Sequence, residues 1–195
     1  DISVGSGGGI LDLRGDASSH RYHPQIGDRN TAGSGDITLG GDLDILLERD
    51  GVVADNVNVW GDISLTADAT MTTQPNGYGG VRGLALRGGI GGTSNTLRLG
   101  GSGRFSLHPD ATGTDLDVAG LVFDSANYST QLYVGSSGAD VFQTLRGNTA
   151  VGGVTLSDNA MVTIIENSGG NQINFDPDDF TFGSNTQITT NTDKY

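Results

Sequence analysis

Aspartates are the side chains best placed to do chemistry in this chain. Asp42 and Asp62 stand twenty residues apart, and each follows a glycine. The other acidic candidates are Asp140, Asp176, Asp178 and Asp179. Carboxylate oxygens are the hard ligands that calcium prefers, so calcium is the metal that we predict at these six residues. Solvated acidic turns explain the same residues without a bound ion.

Asp140 belongs to a segment with a partial calcium-binding pattern. Residues 135–142 (GSSGADVF) resemble half of the nonapeptide repeat G-G-x-G-x-D. Gly138 and Asp140 fit that pattern, whereas Ser136 replaces its second glycine. Such sites are built from stacked neighbouring repeats, and the sequence holds no second copy of this one.

Two further polar segments have a functional and a structural interpretation. His20 and His23 are close enough in sequence to share a metal, but His108 is distant. A loop that covers the neighbouring strands is the simpler interpretation of the two histidines. Residues 14–16 spell Arg-Gly-Asp, the integrin-binding tripeptide, which equally fits a strand that runs into a turn.

Catalytic motifs are missing from the sequence. It contains neither the G-x-S-x-G turn of a serine nucleophile nor the H-E-x-x-H zinc motif. Acidic residues are so frequent that no pair of carboxylates stands out. We therefore predict that the chain is not an enzyme, and that calcium is the only candidate cofactor.

The aspartates are carried by short strands that repeat. Residues 36–45 (DITLGGDLDI) and 56–65 (NVNVWGDISL) superpose without a gap, and apolar residues alternate with polar ones in both. Alternation indicates half-buried strands. We predict an all-β parallel β-helix, or β-solenoid, of about eight coils of about 19 to 20 residues. The residues predicted to be buried are Ile37, Leu39, Leu43, Ile45, Val57, Val59, Ile63 and Leu65.

The same alignment makes predictions about glycine and aspartate. Gly41 matches Gly61 on the inward side, where a side chain would collide if the chain bends at a corner. A chain rich in glycine also matches itself by chance. Asp42 and Asp62 should stack about 5 Å apart. Their repulsion must then be relieved by a cation or by backbone amides.

Composition excludes several classes of protein. The chain has 195 residues, 33 of them glycine and none cysteine, which leaves room for one core and excludes a disulfide framework. A formal net charge of −13 repels phosphate backbones, so we predict no nucleic acid partner. No apolar run approaches the ~20 residues of a membrane span, so we expect no membrane insertion. A start at Asp1 is typical of a mature secreted product, and equally of a chain cut by an experimenter.

We predict a single β-solenoid domain over residues 1–195. Residues 1–35 form an N-terminal coil with a covering loop, and residues 36–175 form the regular coils. Residues 176–195 form a cap or an assembly tail. Within residues 72–92 the register stays open, because insertions interrupt the repeat.

Residues 62–71 (DISLTADATM) and 95–107 (NTLRLGGSGRFSL) resemble coils of bacterial autotransporter passengers and filamentous-haemagglutinin-type adhesins. The resemblance covers most of residues 36–165 and is one of repeat style. It implies a secreted right-handed parallel β-helix that serves adhesion, biofilm formation or surface structure. It carries over no functional residue, because that style of repeat has no active site. The chain is far shorter than most such passengers.

Two functions from different classes follow. The first is an extracellular structural or adhesive protein that self-assembles head to tail into a filament, or binds a cell-surface or matrix partner. The predicted assembly interface consists of Ile2, Val4, Phe180, Phe182 and Ile188. The second is a carbohydrate-binding or carbohydrate-cleaving solenoid, such as a fragment of a phage tail spike. Aromatic residues along one flank would favour sugar, but Trp60 and the five tyrosines do not recur at one coil position.

Overall fold

The computed structural model describes residues 1–15, 25–28, 30–31, 34–49, 57–76, 83–101, 104–107, 116–124, 130–134, 154–166 and 180–191. In these ranges every regular element is a β-strand and every strand pairing is parallel. The all-β prediction is therefore confirmed. The same ranges include no helix with the length and apolar character needed to cross a bilayer.

Seventeen strands follow one another along the described chain. They are β1 (Ile2–Val4), β2 (Gly9–Gly15), β3 (Gln25–Ile26), β4 (Ile37–Leu39), β5 (Leu43–Arg49), β6 (Val57–Val59), β7 (Ile63–Leu65), β8 (Ala69–Asn76), β9 (Gly83–Leu86), β10 (Ile90–Gly101), β11 (Arg104–Leu107), β12 (Leu116–Asp124), β13 (Thr130–Val134), β14 (Val154–Leu156), β15 (Met161–Glu166), β16 (Phe180–Phe182) and β17 (Gln187–Asn191).

The strands form three rows, which the chain visits in a fixed order. The first row comprises β1, β4, β7 and the starts of β10 and β12. The second row comprises β2, β5, β8, the later parts of β10 and β12, and then β14 and β16. The third row is a separate seven-stranded sheet of β3, β6, β9, β11, β13, β15 and β17. Because β10 and β12 each span two rows, the first and second rows join into one ten-stranded sheet.

The spacing between paired strands differs from the predicted period. Ile37 pairs with Ile63, 26 residues further on, and Ile63 pairs with Ile90. Val57, which was expected to stack on Ile37, lies in the third row and pairs with Leu84. The predicted repeat of 19 to 20 residues is therefore wrong. Alternation reports which side of a strand faces inward, but strands of different rows share that alternation.

The register that the sequence left open is set by neighbours on both sides. Thr72 of β8 pairs with Asp44 and with Gly100. Leu84 of β9 pairs with Val57 below and Phe105 above. Both β8 and β9 therefore pair with a layer on either side, although the sequence repeat is interrupted between them.

The predicted core residues are confirmed. Ile37, Leu39, Leu43, Ile45, Val57, Val59, Ile63 and Leu65 are all buried. They belong to one hydrophobic cluster that draws on all three rows. Two polar residues, Thr73 and Ser106, are buried as well. The sequence therefore predicted which side of these strands faces the core, but it did not predict which strands lie beside them.

Gly61 is required by the fold, for a reason other than the predicted one. A Cβ atom on Gly61 would collide with the backbone of Gly35 and Asp36 in the preceding layer of strands. A Cβ on Gly88 would likewise collide with the carbonyl group of Gly61. These glycines lie where the chain passes from the third row to the first, and we call each such passage between rows a corner. They let successive layers approach closely. Gly61 therefore corresponds to Gly35 and Gly88, which lie next to it in the neighbouring layers, and not to Gly41.

Candidate functional site

Both aspartates of the leading calcium prediction accept hydrogen bonds from backbone amides. Asp42 lies in the turn between β4 and β5, and the N–H of Thr70 donates to its Oδ1 atom at 2.7 Å. Asp62 directly precedes β7, and the N–H of Gly89 donates to its Oδ1 atom at 2.7 Å. Each amide belongs to the next layer of strands. Of the two alternatives given for these carboxylates, a cation or backbone amides, the described residues supply amides.

Three more aspartates make the same kind of contact. The donors are the N–H of Asp62 to Asp36 at 2.9 Å, of Thr96 to Asp68 at 2.7 Å and of Ser184 to Asp158 at 2.6 Å. In every case the donor lies 26 to 28 residues after the acceptor. A carboxylate that accepts an amide hydrogen bond forms a charge-assisted contact, stronger than one between neutral groups. These carboxylates therefore join successive layers at the corners.

The predicted stacking of Asp42 on Asp62 is wrong. Leu43, next to Asp42, pairs with Met71, whereas Ile63, next to Asp62, pairs with Ile37. The neighbour of Asp62 in the preceding layer is therefore Asp36. The two predicted ligands occupy different corners, because the twenty-residue alignment joined strands of different rows.

The other predicted metal ligands lie outside the described residues. These are Asp140, Asp176, Asp178 and Asp179. Within the described ranges, no three histidine, cysteine, aspartate or glutamate side chains converge on a position that would hold a metal ion. Calcium at the six predicted aspartates therefore stays a prediction, which a calcium-dependent rise in melting temperature would test.

The histidines and the Arg-Gly-Asp tripeptide are only partly placed. His20, His23, His108 and Asp16 lie outside the described residues. Residues 14 and 15 form the end of β2, which agrees with the strand half of the structural interpretation.

A 26-residue alignment would have found the corner aspartates. Residues 35–42 read GDITLGGD and residues 61–68 read GDISLTAD. Their aspartates are the four acceptors Asp36, Asp42, Asp62 and Asp68. Asp36 and Asp68 are not found by a twenty-residue alignment, because that spacing pairs each glycine with the wrong partner.

The five predicted assembly residues fall into two groups at opposite ends of the strand order. Ile2 and Val4 lie in β1, the first strand of the ten-stranded sheet, and Phe180 and Phe182 lie in β16, its last strand. Ile188 lies in β17, at the corresponding end of the seven-stranded sheet. Val4 is buried, Ile2, Phe180 and Ile188 are half-buried, and Phe182 is 45% exposed. The two phenylalanine rings stack with centroids 5.9 Å apart.

Strand β2 belongs to the first end as well, although none of its residues is among the five predicted assembly residues. Ile10 is 72% exposed, whereas Leu11 and Leu13 are half-buried and pack against the core. Gly9, at the start of the strand, is exposed. The alternation of residues 10–13 predicts this strand, but its position at an end of the sheet depends on long-range pairing.

Polar contacts also connect layers along the outer faces. Arg87 donates from Nε to Oδ1 of Asn58 at 2.8 Å, and its guanidinium group lies over the ring of Trp60 at 5.1 Å. Arg98 forms an ion pair with Asp124 at 2.8 Å. A face of the single tryptophan is therefore occupied by a residue of the chain itself.

Comparison with known proteins gives no assignment. No family model, no curated protein and no solved structure matches this chain.

Proposed function

We propose that this chain is a β-solenoid whose subunits stack end to end into an extracellular filament. The three rows of strands wrap around the common hydrophobic cluster, with one strand from each row in a full coil. A coil then takes about 26 to 28 residues where the layers are regular, and about seven coils replace the predicted eight. Each coil buries its apolar side only by stacking on its neighbours.

The observation that carries the proposal is the position of the strands at the two ends. β1 and β2 begin the stack, and β16 and β17 end it. A strand at the edge of a sheet offers main-chain groups to a further strand. A second copy that adds its β2 to β16, in the parallel sense of the whole sheet, would continue the ladder by strand addition.

The geometry of such a contact favours an open polymer. The first and last layers present different residues, so the contact is heterologous, and a heterologous contact repeats without closing unless its rotation forms a ring. Ile2 and Val4 would contribute from the first layer, and Phe180, Phe182 and Ile188 from the last.

Secretion and adhesion are parts of the same proposal. They rest on the resemblance to passenger and adhesin repeats and on the acidic, glycine-rich composition. We place the protein outside the cell, as a structural component without catalytic activity, with copies of itself or a cell-surface or matrix component as partners. The carbohydrate alternative is less well supported, because Arg87 covers a face of Trp60.

Negative-stain electron microscopy of the purified chain tests the proposal. We expect unbranched filaments at high protein concentration and high salt, with monomers at low salt. A chain that stays at its monomer mass of 20.0 kDa under both conditions would overturn the filament proposal and leave the monomeric adhesin.

A further inference from the structure

We infer that the subunits join in one register, in which Phe182 of one copy lies against Gly9 of the next. This inference rests on the end-to-end assembly proposed above and adds the residues that make the contact. It is carried by one column of inward-facing positions in the second row.

The column runs through the whole described stack. Its members, in order of successive pairings, are Gly9, Leu43, Met71, Leu99, Phe123, Leu156 and Phe182. The five inner members are at most 2% exposed. Phe182 is 45% exposed, although its pairing partner Leu156 is only 1% exposed. The phenylalanine therefore holds a core position but keeps nearly half of its surface exposed.

Gly9, at the other end of the column, is not explained by the fold of a single subunit. A Cβ atom there would lie 3.5 Å from Cγ1 of Val4 and 3.9 Å from Cδ1 of Leu43, which are ordinary contacts. The neighbouring Gly8 is different, because its φ of 75° lies in the left-handed region that favours glycine. The column thus has large apolar side chains in six layers and glycine in the first, where a Cβ atom would fit.

An end-to-end contact explains both ends of the column together. If the β2 strand of the next copy adds to β16 in parallel, Gly9 continues the column directly beyond Phe182. A large side chain then faces an empty position, which is how facing positions fill space without overlap.

The alternative to this register is general apolar adhesion. Ile10 distinguishes this register from general apolar adhesion, because it is the other large apolar side chain that is exposed in the described residues. It lies next to Gly9 on the same strand but has the opposite parity, so it faces away from the core. Ile10→Ser removes exposed apolar surface without touching the column.

The experiment uses Phe182→Ser, Gly9→Asp and the matched control Ile10→Ser in the full chain. Size is measured by sedimentation velocity, and circular dichroism verifies that each variant keeps its β-structure. We expect the first two variants to need a concentration about tenfold or more above that of the unmodified chain to polymerise. Ile10→Ser should polymerise normally. Equal loss with Ile10→Ser, or none with Gly9→Asp, would overturn the register.

Mixing supplies a second readout that a folding defect cannot imitate. Phe182→Ser retains an intact first layer, and Gly9→Asp retains an intact last layer. Each variant alone should be monomeric at concentrations where their mixture forms a dimer of twice 20.0 kDa. A mixture that stays monomeric contradicts the register even if the unmodified chain forms filaments. An unmodified chain that never assembles contradicts the proposed function itself.

Discussion

At the scale of single residues, the carboxylates at the corners are structural groups with defined partners. Asp62 both donates its N–H to Asp36 and accepts the N–H of Gly89, so three layers are connected through one residue. Its charge is stabilised by an amide that the strand ladder would otherwise leave to solvent. Part of the aspartate content of this chain is therefore explained by the corners, where carboxylates accept hydrogen bonds from backbone amides.

Replacing Asp62 with alanine should lower stability. We expect Asp62→Ala to reduce the free energy of unfolding by about 1 kcal/mol, because the N–H of Gly89 loses its acceptor and the exposed site is partly screened by water. Asp62→Asn, which keeps an oxygen acceptor, should lose less. Urea denaturation gives both values. Asp44→Ala is the control, since Asp44 accepts no comparable bond in the described part of the chain, and an equal loss there would contradict this role.

Thr73 is a residue that valine should replace with benefit. Its side chain is fully buried, and within the described residues its Oγ1 atom has no hydrogen-bond partner. Thr73→Val keeps the shape and removes a buried polar group, so we expect a gain of about 1 kcal/mol in the free energy of unfolding. Thr72→Val, on the opposite side of the strand, should change stability little. A loss with Thr73→Val would indicate a bound water or another partner.

At the scale of strands, the sequence predicts which side of a strand faces the core but does not predict which strands pair with each other. The alternation at Ile37 and Leu39 is local, so the inward side could be read directly. Which strand lies beside which depends on the length of the turns, and Val57 shares the alternation of Ile37 while belonging to another row. The corner glycines carry the missing information, because Gly35, Gly61 and Gly88 must stack.

Truncation of core side chains tests the inward side of each strand. Leu43 and Ile63 are almost completely buried, in the second and first rows respectively. We expect Leu43→Ala or Ile63→Ala to cost about 2 to 5 kcal/mol in chemical denaturation, through lost burial and the cavity that remains. Ile10→Ala, at a 72% exposed position, should cost less than about 0.5 kcal/mol. Similar costs at buried and exposed positions would refute the assignment.

A methyl group added to the corner glycine should be costly. Gly61→Ala places a Cβ atom against the backbone of Gly35 and Asp36, and backbone cannot rotate away as a side chain does. We expect a loss of about 2 kcal/mol or more in the free energy of unfolding. The comparison is Gly9→Ala, where the added atom finds ordinary contacts. If both substitutions were tolerated alike, the layers would be further apart than described.

At the scale of the whole molecule, the net charge opposes the proposed assembly, whereas the strand edges favour it. Each copy carries a formal net charge of −13, so copies in a filament repel one another. Added salt shortens the range of that repulsion and leaves apolar contacts in place. We therefore expect the concentration needed for assembly to fall as sodium chloride is raised, as measured by light scattering. Assembly that weakens with salt would indicate that ion pairs, rather than apolar columns, hold the copies together.

The unequal distances between paired residues bear on what the chain tolerates. Partners lie 21 residues apart at Leu84 and Phe105, 33 apart at Leu121 and Val154, and 35 apart at Ile2 and Ile37. The described pairings persist across this variation, and lengthening a loop costs little entropy. Foreign peptides inserted between the strands would then be displayed at intervals of whole layers. The fold therefore suits regular presentation of short epitopes or binding loops.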